Sequence, residues 1–394
     1  MYFLLLAFVV VCIFDPADRM LHAKVPLFVV LWAVTLPRIL TSLGTADFPL
    51  RSTTYVAVFV AIPALALLRY GLVNGELPQQ AFPLFKAYLL ISLAIVLVVH
   101  RADLIPMLSA TLVALACLVI VVFLAIQLDY SLYNTLKRGG TNLGMFYLDE
   151  RAYGNVLLLQ VFFTTSPMLV VAIAYYFDRA MSMQIMAQRL FFFALTSVSI
   201  VGMFLAGGRN NIIVSLLLPF LLWPLYTRRP GLTALCSIGG VTILVVLFMG
   251  HLKAFLDPAE ISNNIKLITV GDYLQILSDP ATLLFGQGLG VDYNWSARGK
   301  FFLTELTYLE LIRNFGVFGG LIIMALLVLP LISAIFLPTS RRNKALALAW
   351  FVYLVMSASN PILFSSMGIL ILAGLIANIL PLPDRAPNAK RAIS

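Results

Sequence analysis

Residues 89–99 read LLISLAIVLVV, and apolar runs of this kind recur from the N-terminus to residue 380. They do not alternate apolar with polar, so the ~10-residue dyad pattern of a membrane β-barrel is absent. Backbone groups in hydrocarbon must be paired within the segment, so each run is expected to be a helix. Only 11% of the 394 residues are charged, less than half the ~25% usual in soluble domains, and the mean hydropathy is +1.00. The chain is therefore expected to be an all-α, polytopic integral membrane protein forming one transmembrane helical domain over 1–394. About twelve spans are predicted, near 2–14, 24–43, 53–70, 82–99, 104–127, 153–177, 190–206, 210–227, 232–250, 316–337, 344–358 and 362–380. The first and eleventh are short for a bilayer that needs ~20 residues. The start, MYFLLLAFVVVCIF, has no basic residue and no small-residue cleavage site, so it reads as a first span.

The net charge of +9 is spread over many short loops, which argues for membrane orientation and against nucleic acid as a partner. With the tail (Arg385, Lys390, Arg391) inside, the loops carrying Arg341, Arg342 and Lys344, Arg228 and Arg229, and Arg179 and Arg189 also fall inside. Two long polar segments, 128–152 and 251–315, are left outside. Long polar segments between spans usually carry function.

Arg209, in LAGGRNNIIVSLLL, falls at the outer end of its span, where the positive-inside rule does not place a cation. Other outer cations are Arg69, Lys86, Arg138, Arg151, Lys266, Arg298, Lys300 and Arg313. A cation in hydrocarbon costs roughly 3 kcal/mol, so it faces a cavity or a partner, or snorkels to the interface. Snorkelling accounts for Arg69 and Arg38, and Lys86 fits either reading. Around Arg209, Gly-Gly allows a ligand close approach and Asn-Asn adds donors, which favours a site.

Other chemistries lack their residues. The three histidines are far apart, there is no HExxH, and no Asp-x-Asp is present to carry a metal and a nucleotide sugar. No metal or cofactor is expected. Cys12, Cys117 and Cys236 lie in separate apolar runs and read as packed thiols. GQGLG at 286–290 lacks the Lys-Ser/Thr of a phosphate loop and reads as a turn after a loop helix near 272–278. Ser357, Ser359 and Asn360 read as packing or helix-end residues. In TELTYLELIRNFGVFGGLI, the part before Gly316 reads as a half-helix with Leu306, Leu309, Ile312 and Phe315 as its buried stripe. Glu305 precedes that stripe. It is either a helix-dipole acid or a general base, with Asp149, Glu150 and Asp292 as alternatives for the base.

Taken in order, three elements resemble those of the O-antigen polymerase and O-antigen ligase superfamily. They are KRGGTNLGMFYLDERAYGNVLLL, then GGRNN between two spans, then FGQGLGVDYNW followed by TELTYLELIRNFGVFGGLI. The resemblance covers residues 135–337. It implies a helical architecture similar to the integral-membrane (GT-C-like) glycosyltransferases, multi-pass in the bacterial inner membrane with the site facing the periplasm. It further implies transfer of a glycan from an undecaprenyl diphosphate carrier without metal or nucleotide sugar. Arg209 matches the family's arginine, and Glu305 stands where ligases often have histidine and polymerases often have glutamate. Arg138 and Asn155 match the first-loop element. The catalytic pair is thus expected to be Arg209 and Glu305. Arg138, Arg151, Lys86, Lys266, Arg298, Arg313 and Asn210 form the expected substrate-binding set.

An arginine fork suits a diphosphate leaving group, and one base with no second carboxylate suits direct inverting displacement. Loop aromatics Tyr147, Tyr153, Tyr293 and Trp295 are candidates to stack on sugars. The implied partners are an undecaprenyl-diphosphate-linked oligosaccharide, membrane lipid and a chain-length regulator. A ligase, a lipid-linked oligosaccharide flippase and a non-catalytic assembly subunit stay open as alternatives. A flippase would show inverted repeats, and none is seen in the sequence.

Overall fold

The computed structural model describes residues 1–43, 49–153, 156–247, 261–297 and 299–380. In chain order the helices are α1 (Tyr2–Phe14), α2 (Lys24–Ser42), α3 (Leu50–Asn74), α4 (Ala81–Leu89), α5 (Leu93–Val99), α6 (Leu104–Leu128) and α7 (Leu132–Leu143). A hairpin, β1 (Phe146–Tyr153) and β2 (Val156–Phe163), leads to α8 (Leu169–Ser182), α9 (Met186–Leu205), α10 (Arg209–Leu222) and α11 (Pro230–Leu247). Next come α12 (Ile261–Leu277), α13 (Pro280–Phe285) and a small hairpin of β3 (Tyr293–Trp295) and β4 (Gly299–Phe301). The chain closes with α14 (Thr307–Phe336), α15 (Arg341–Ser357) and α16 (Ser366–Ile379).

The protein is predominantly helical. Six helical stretches are long and apolar enough to cross a membrane: Lys24–Ser42, Leu50–Asn74, Ala81–Val99, Leu104–Leu128, Met186–Leu205 and Thr307–Phe336. Tyr2–Phe14, Gly231–Gly240 and Ser366–Ile379 are apolar but shorter. This makes a multi-pass membrane protein, with fewer full-length spans among the described residues than the expected twelve.

One expected span is not a helix throughout. Of 153–177, residues 156–163 pair antiparallel with 146–153, in a register running from Phe146↔Phe163 to Tyr153↔Val156. The run VLLLQVFF is eight residues long, a length at which an apolar segment reads equally as strand or helix. Cross-strand packing decides it: Phe146 and Phe163 stack with centroids 5.0 Å apart, and Leu148 and Val161 are buried beneath.

The helix α8 that follows is buried from Leu169 to Asp178 and packs among α6, α9 and α15, as its stretch LVVAIAYYF, apolar on every side, requires. At one end of the bundle Arg342 donates to Asp103 Oδ2 (2.6 Å) and to Asn378 Oδ1 (3.0 Å), tying the starts of α6 and α15 to the end of α16. The hairpins, α12 and the junction between α9 and α10 gather at the opposite end, where the cavity opens.

Candidate active site

The first wall of this cavity is the α9–α10 junction. The chain reverses within Ala206–Gly208, with Gly207 at φ +71°, and the Gln160 amide donates to the Gly207 carbonyl. A side chain at 207 would collide with Gln160, so glycine is required for this approach. Gly208 is the N-cap of α10 and offers no capping oxygen. The N–H groups of a helix's first turn have no partner within the helix, and its N-terminus carries partial positive charge. The first turn here contains no acid and begins with Arg209. A cation at the positive end of a helix is locally unfavourable, which makes this turn a concentrated anion-seeking surface. Arg209 Nη1 donates to Asn263 Oδ1 at 3.1 Å, which orients the guanidinium from α12. Asn210 donates to Met356 O and Ser359 Oγ, both at 3.3 Å, and so ties α10 to the end of α15.

The second wall is the segment before α14. α14 is two helices joined at Gly316 (φ 69°, ψ 177°), so residues 307–315 form the expected half-helix. That break opens the carbonyls of Arg313 and Asn314. The GQGLG turn serves them: Gln287 N–H donates to Arg313 O (2.6 Å) and Gly288 N–H to Asn314 O (3.1 Å). Gly286 and Gly316 pack backbone to backbone, where no Cβ fits. Arg69, expected to snorkel, donates to the carbonyls of Phe285 and Gly286 at 2.5 and 2.7 Å.

The half-helix turns a polar face inward. Thr307, Glu310, Leu311 and Asn314 are buried; of the expected stripe Phe315 is buried as well, whereas Leu306, Leu309 and Ile312 are only partly so, and the buried face is rotated toward the polar residues. The reason is an ion pair missed in the sequence. Arg313 Nη2 lies 2.5 Å from Glu310 Oε1, with the arginine side chain fully buried. The same guanidinium donates to Val291 O (2.9 Å), Phe302 O (2.8 Å) and Gln287 Oε1 (3.2 Å). Tyr273 donates to Glu310 Oε2 at 2.5 Å and shares a further hydrogen bond with Thr304 Oγ1. Burial raises the Tyr273 pKa far above its ordinary value, so the hydroxyl stays protonated as a donor.

Between the walls lies a cavity of about 720 Å³, lined by Arg209, Asn210, Lys266 and Glu305 among others. These four expected site residues, distant in sequence, are brought together. Lys266 Nζ lies 3.9 Å from Glu305 Oε2, both partly exposed. Lys137 and Gln160 also line the cavity and were not expected, and so does Asp149, one of the alternative bases. Gln160 did carry a signal, as the lone polar residue in VLLLQVFF.

The other expected residues stand elsewhere. Arg313 is fully buried in the pair with Glu310 and does not line the cavity, so the structure places it as a tie between the half-helix and the loop. Arg138 is exposed on α7, where its neighbour Lys137 takes the lining position, and Lys86 is exposed on α4; neither lines the cavity. Only the backbone of Arg151 is described, and Arg298 and Asn155 lie outside the described residues. Trp295 is buried against Tyr273 with centroids 4.9 Å apart, which removes it from sugar stacking; Tyr147 lines the cavity and is exposed. Among the alternative bases, Glu150 accepts from Tyr130 (2.7 Å) and Asp292 pairs with Lys300 (3.5 Å), while Asp149 lines the cavity. The expected lone carboxylate is thus accompanied by a second.

Fold and site together define a multi-pass helical membrane protein with a cation-rich, carboxylate-bearing cavity at one end of its bundle. Over 165 residues the chain is 27% identical to the O-antigen polymerase of Shigella flexneri. That match covers 41% of this chain and 38% of that protein. No family model matches the chain.

Proposed function

We propose that the protein is a polysaccharide repeat-unit polymerase of the bacterial inner membrane, with its cavity facing the periplasm. It joins an undecaprenyl-diphosphate-linked oligosaccharide to the non-reducing end of another lipid-linked repeat unit, for O-antigen, capsule or exopolysaccharide. The carrying observation is that Arg209, at the start of α10, and Glu305, ahead of α14, line one cavity. The similarity to an O-antigen polymerase supports the choice of substrate.

The chemistry follows from the two walls. The donor is a sugar whose anomeric carbon bears a lipid diphosphate. The Arg209 fork and the first-turn N–H groups of α10 hold the diphosphate oxygens and stabilise the charge that grows as the C–O bond breaks. Glu305 accepts the proton of the acceptor hydroxyl as its oxygen bonds to the anomeric carbon. The electron pair of the broken bond leaves with the diphosphate, and direct displacement inverts the anomeric centre. Asp149 is the other carboxylate on the cavity wall, so the anomeric configuration of the product distinguishes direct displacement from a two-step route through a second acid.

The test uses purified protein in lipid nanodiscs with lipid-linked repeat units extracted from cells lacking the protein. The wild type is expected to build a ladder of polymers. A base contributes about 10²–10⁴-fold, so Glu305→Gln is expected to lose the ladder while retaining donor binding. A normal ladder from this variant rules Glu305 out as the base and moves the role to Asp149. Absence of any ladder from the wild type, with glycan appearing instead on a lipid A core acceptor, supports a ligase.

A further inference from the structure

The segment that presents Glu305 is irregular. Residues 302–306 lie between β4 and α14, outside any helix or strand. A base must sit within about 3 Å of the proton it takes, so something has to hold this segment still. Lys266 reaches Glu305 itself only at 3.9 Å, and that pair is partly exposed, which makes it a weak constraint.

The firm constraints lie in the cavity wall, at Thr304 and Asn360, and behind it, at Tyr273, Glu310 and Arg313. Arg313 Nη2 holds the Phe302 carbonyl at 2.8 Å, three residues before Glu305. Thr307, two residues after it, donates to Asn360 O at 2.9 Å. Between them, Thr304 is tied to the Tyr273 hydroxyl, whose own proton goes to Glu310 Oε2. Thr304 is 6% exposed and Tyr273 is fully buried, so water does not compete for this link. Glu310 in turn is fixed by Arg313 and by Asn314 Nδ2 at 3.1 Å. The buried acid thus anchors the residue next to the proposed base through one tyrosine hydroxyl.

We infer that Tyr273 is a positioning residue for Glu305: its hydroxyl couples the buried Glu310–Arg313 pair to Thr304 and so sets where the Glu305 carboxylate stands in the cavity. The inference rests on the reading of Glu305 as the base. Tyr273 touches no reacting atom, so its removal acts on turnover and leaves donor binding at the other wall alone.

Tyr273→Phe keeps the ring against Trp295 and removes only the hydroxyl. In nanodiscs with the extracted lipid-linked repeat units, it is expected to lower kcat about tenfold with KM for the donor within twofold. Thr304→Val cuts the same link from its other end and is expected to match it, whereas Thr304→Ser restores the hydroxyl and the rate. The double variant Tyr273→Phe/Thr304→Val is expected to be no worse than either single change, because both remove one interaction. If Tyr273→Phe lowers the yield of folded protein, Thr304→Val carries the test, since it leaves the Tyr273–Glu310 bond in place. Wild-type kcat in both single variants, a loss carried by KM, or losses that multiply to about a hundredfold in the double variant each overturn the inference. A fully active Glu305→Gln removes the base assignment and this inference with it. An inactive Glu305→Gln beside a fully active Tyr273→Phe removes this inference alone.

Discussion

Replacing Arg313 by methionine separates a structural tie from a substrate ligand. Methionine fills much of the volume and removes the charge. Glu310 is then left with Tyr273 (2.5 Å) and Asn314 (3.1 Å) as donors and no cation, in a pocket where its side chain is 7% exposed. Breaking a buried ion pair from one side costs ~3–5 kcal/mol, a large part of a protein's total stability. Three further acceptors, Gln287 Oε1, Val291 O and Phe302 O, lose their donor in the same step. Removing the stranded acid as well, in Arg313→Met/Glu310→Leu, is expected to recover roughly half, because the uncompensated charge is gone but the loop carbonyls stay unserved. The assay is denaturation in detergent micelles, with limited proteolysis of residues 286–305 as a local readout. A single variant within ~1 kcal/mol of wild type refutes the reasoning, and so does a double variant whose loss equals the sum of the two single losses. Such a stable but inactive Arg313→Met would return the residue to the substrate.

Arg209→Lys keeps the charge and loses the planar fork, so it is expected to abolish most polymerisation while the protein still inserts; a normal ladder would make Arg209 an interfacial residue. Gly316→Ala places a Cβ 2.1 Å from the Leu284 carbonyl oxygen at φ 69°, so the melting temperature is expected to fall sharply, and an unchanged melt would refute the close packing of the joint. Single cysteines at Ser296 and Ser340, in a background without the exposed Cys117 and Cys236, are expected to label from opposite sides of the membrane; labelling from one side would overturn the topology.

Helical character and the two anchors of the site were legible because each rests on a local signal. Arg209 stood out as a cation misplaced for orientation, and Glu305 as an acid ahead of an apolar helix. The half-helix was legible from Gly316. What failed did so for nameable reasons. VLLLQVFF was too short for periodicity to choose between strand and helix, although Gly154-Asn155 before it is a dipeptide of the hairpin type. Glu310 and Arg313 are three apart on one helix face, a spacing that permits pairing, but nothing local says that the pair is buried. Arg69 is exposed, as an interfacial cation would be, but its partners, the carbonyls of Phe285 and Gly286, were not legible because they carry no side-chain signature. Lys137 and Arg138 are adjacent, and only the rotation of α7 decides which one faces the cavity.

The joint between Gly286 and Gly316 also bears on how such proteins can diversify. Gln287 and Gly288 bond to the carbonyls of Arg313 and Asn314, so the segment between them leaves and re-enters the fold at one narrow neck. The stretch from the small hairpin to Glu305 lies between the two sides of that neck, Arg313 holds its interior by Val291 and Phe302, and α12 holds it at Ser296 and Thr304. A segment closed in this way is a cassette: its tip can lengthen, shorten or be exchanged between related chains without shifting the register of a single transmembrane helix. A graft of this segment has to keep Gly286 and Gly316 at its borders and carry Arg313 with it, because the neck and the interior tie depend on all three.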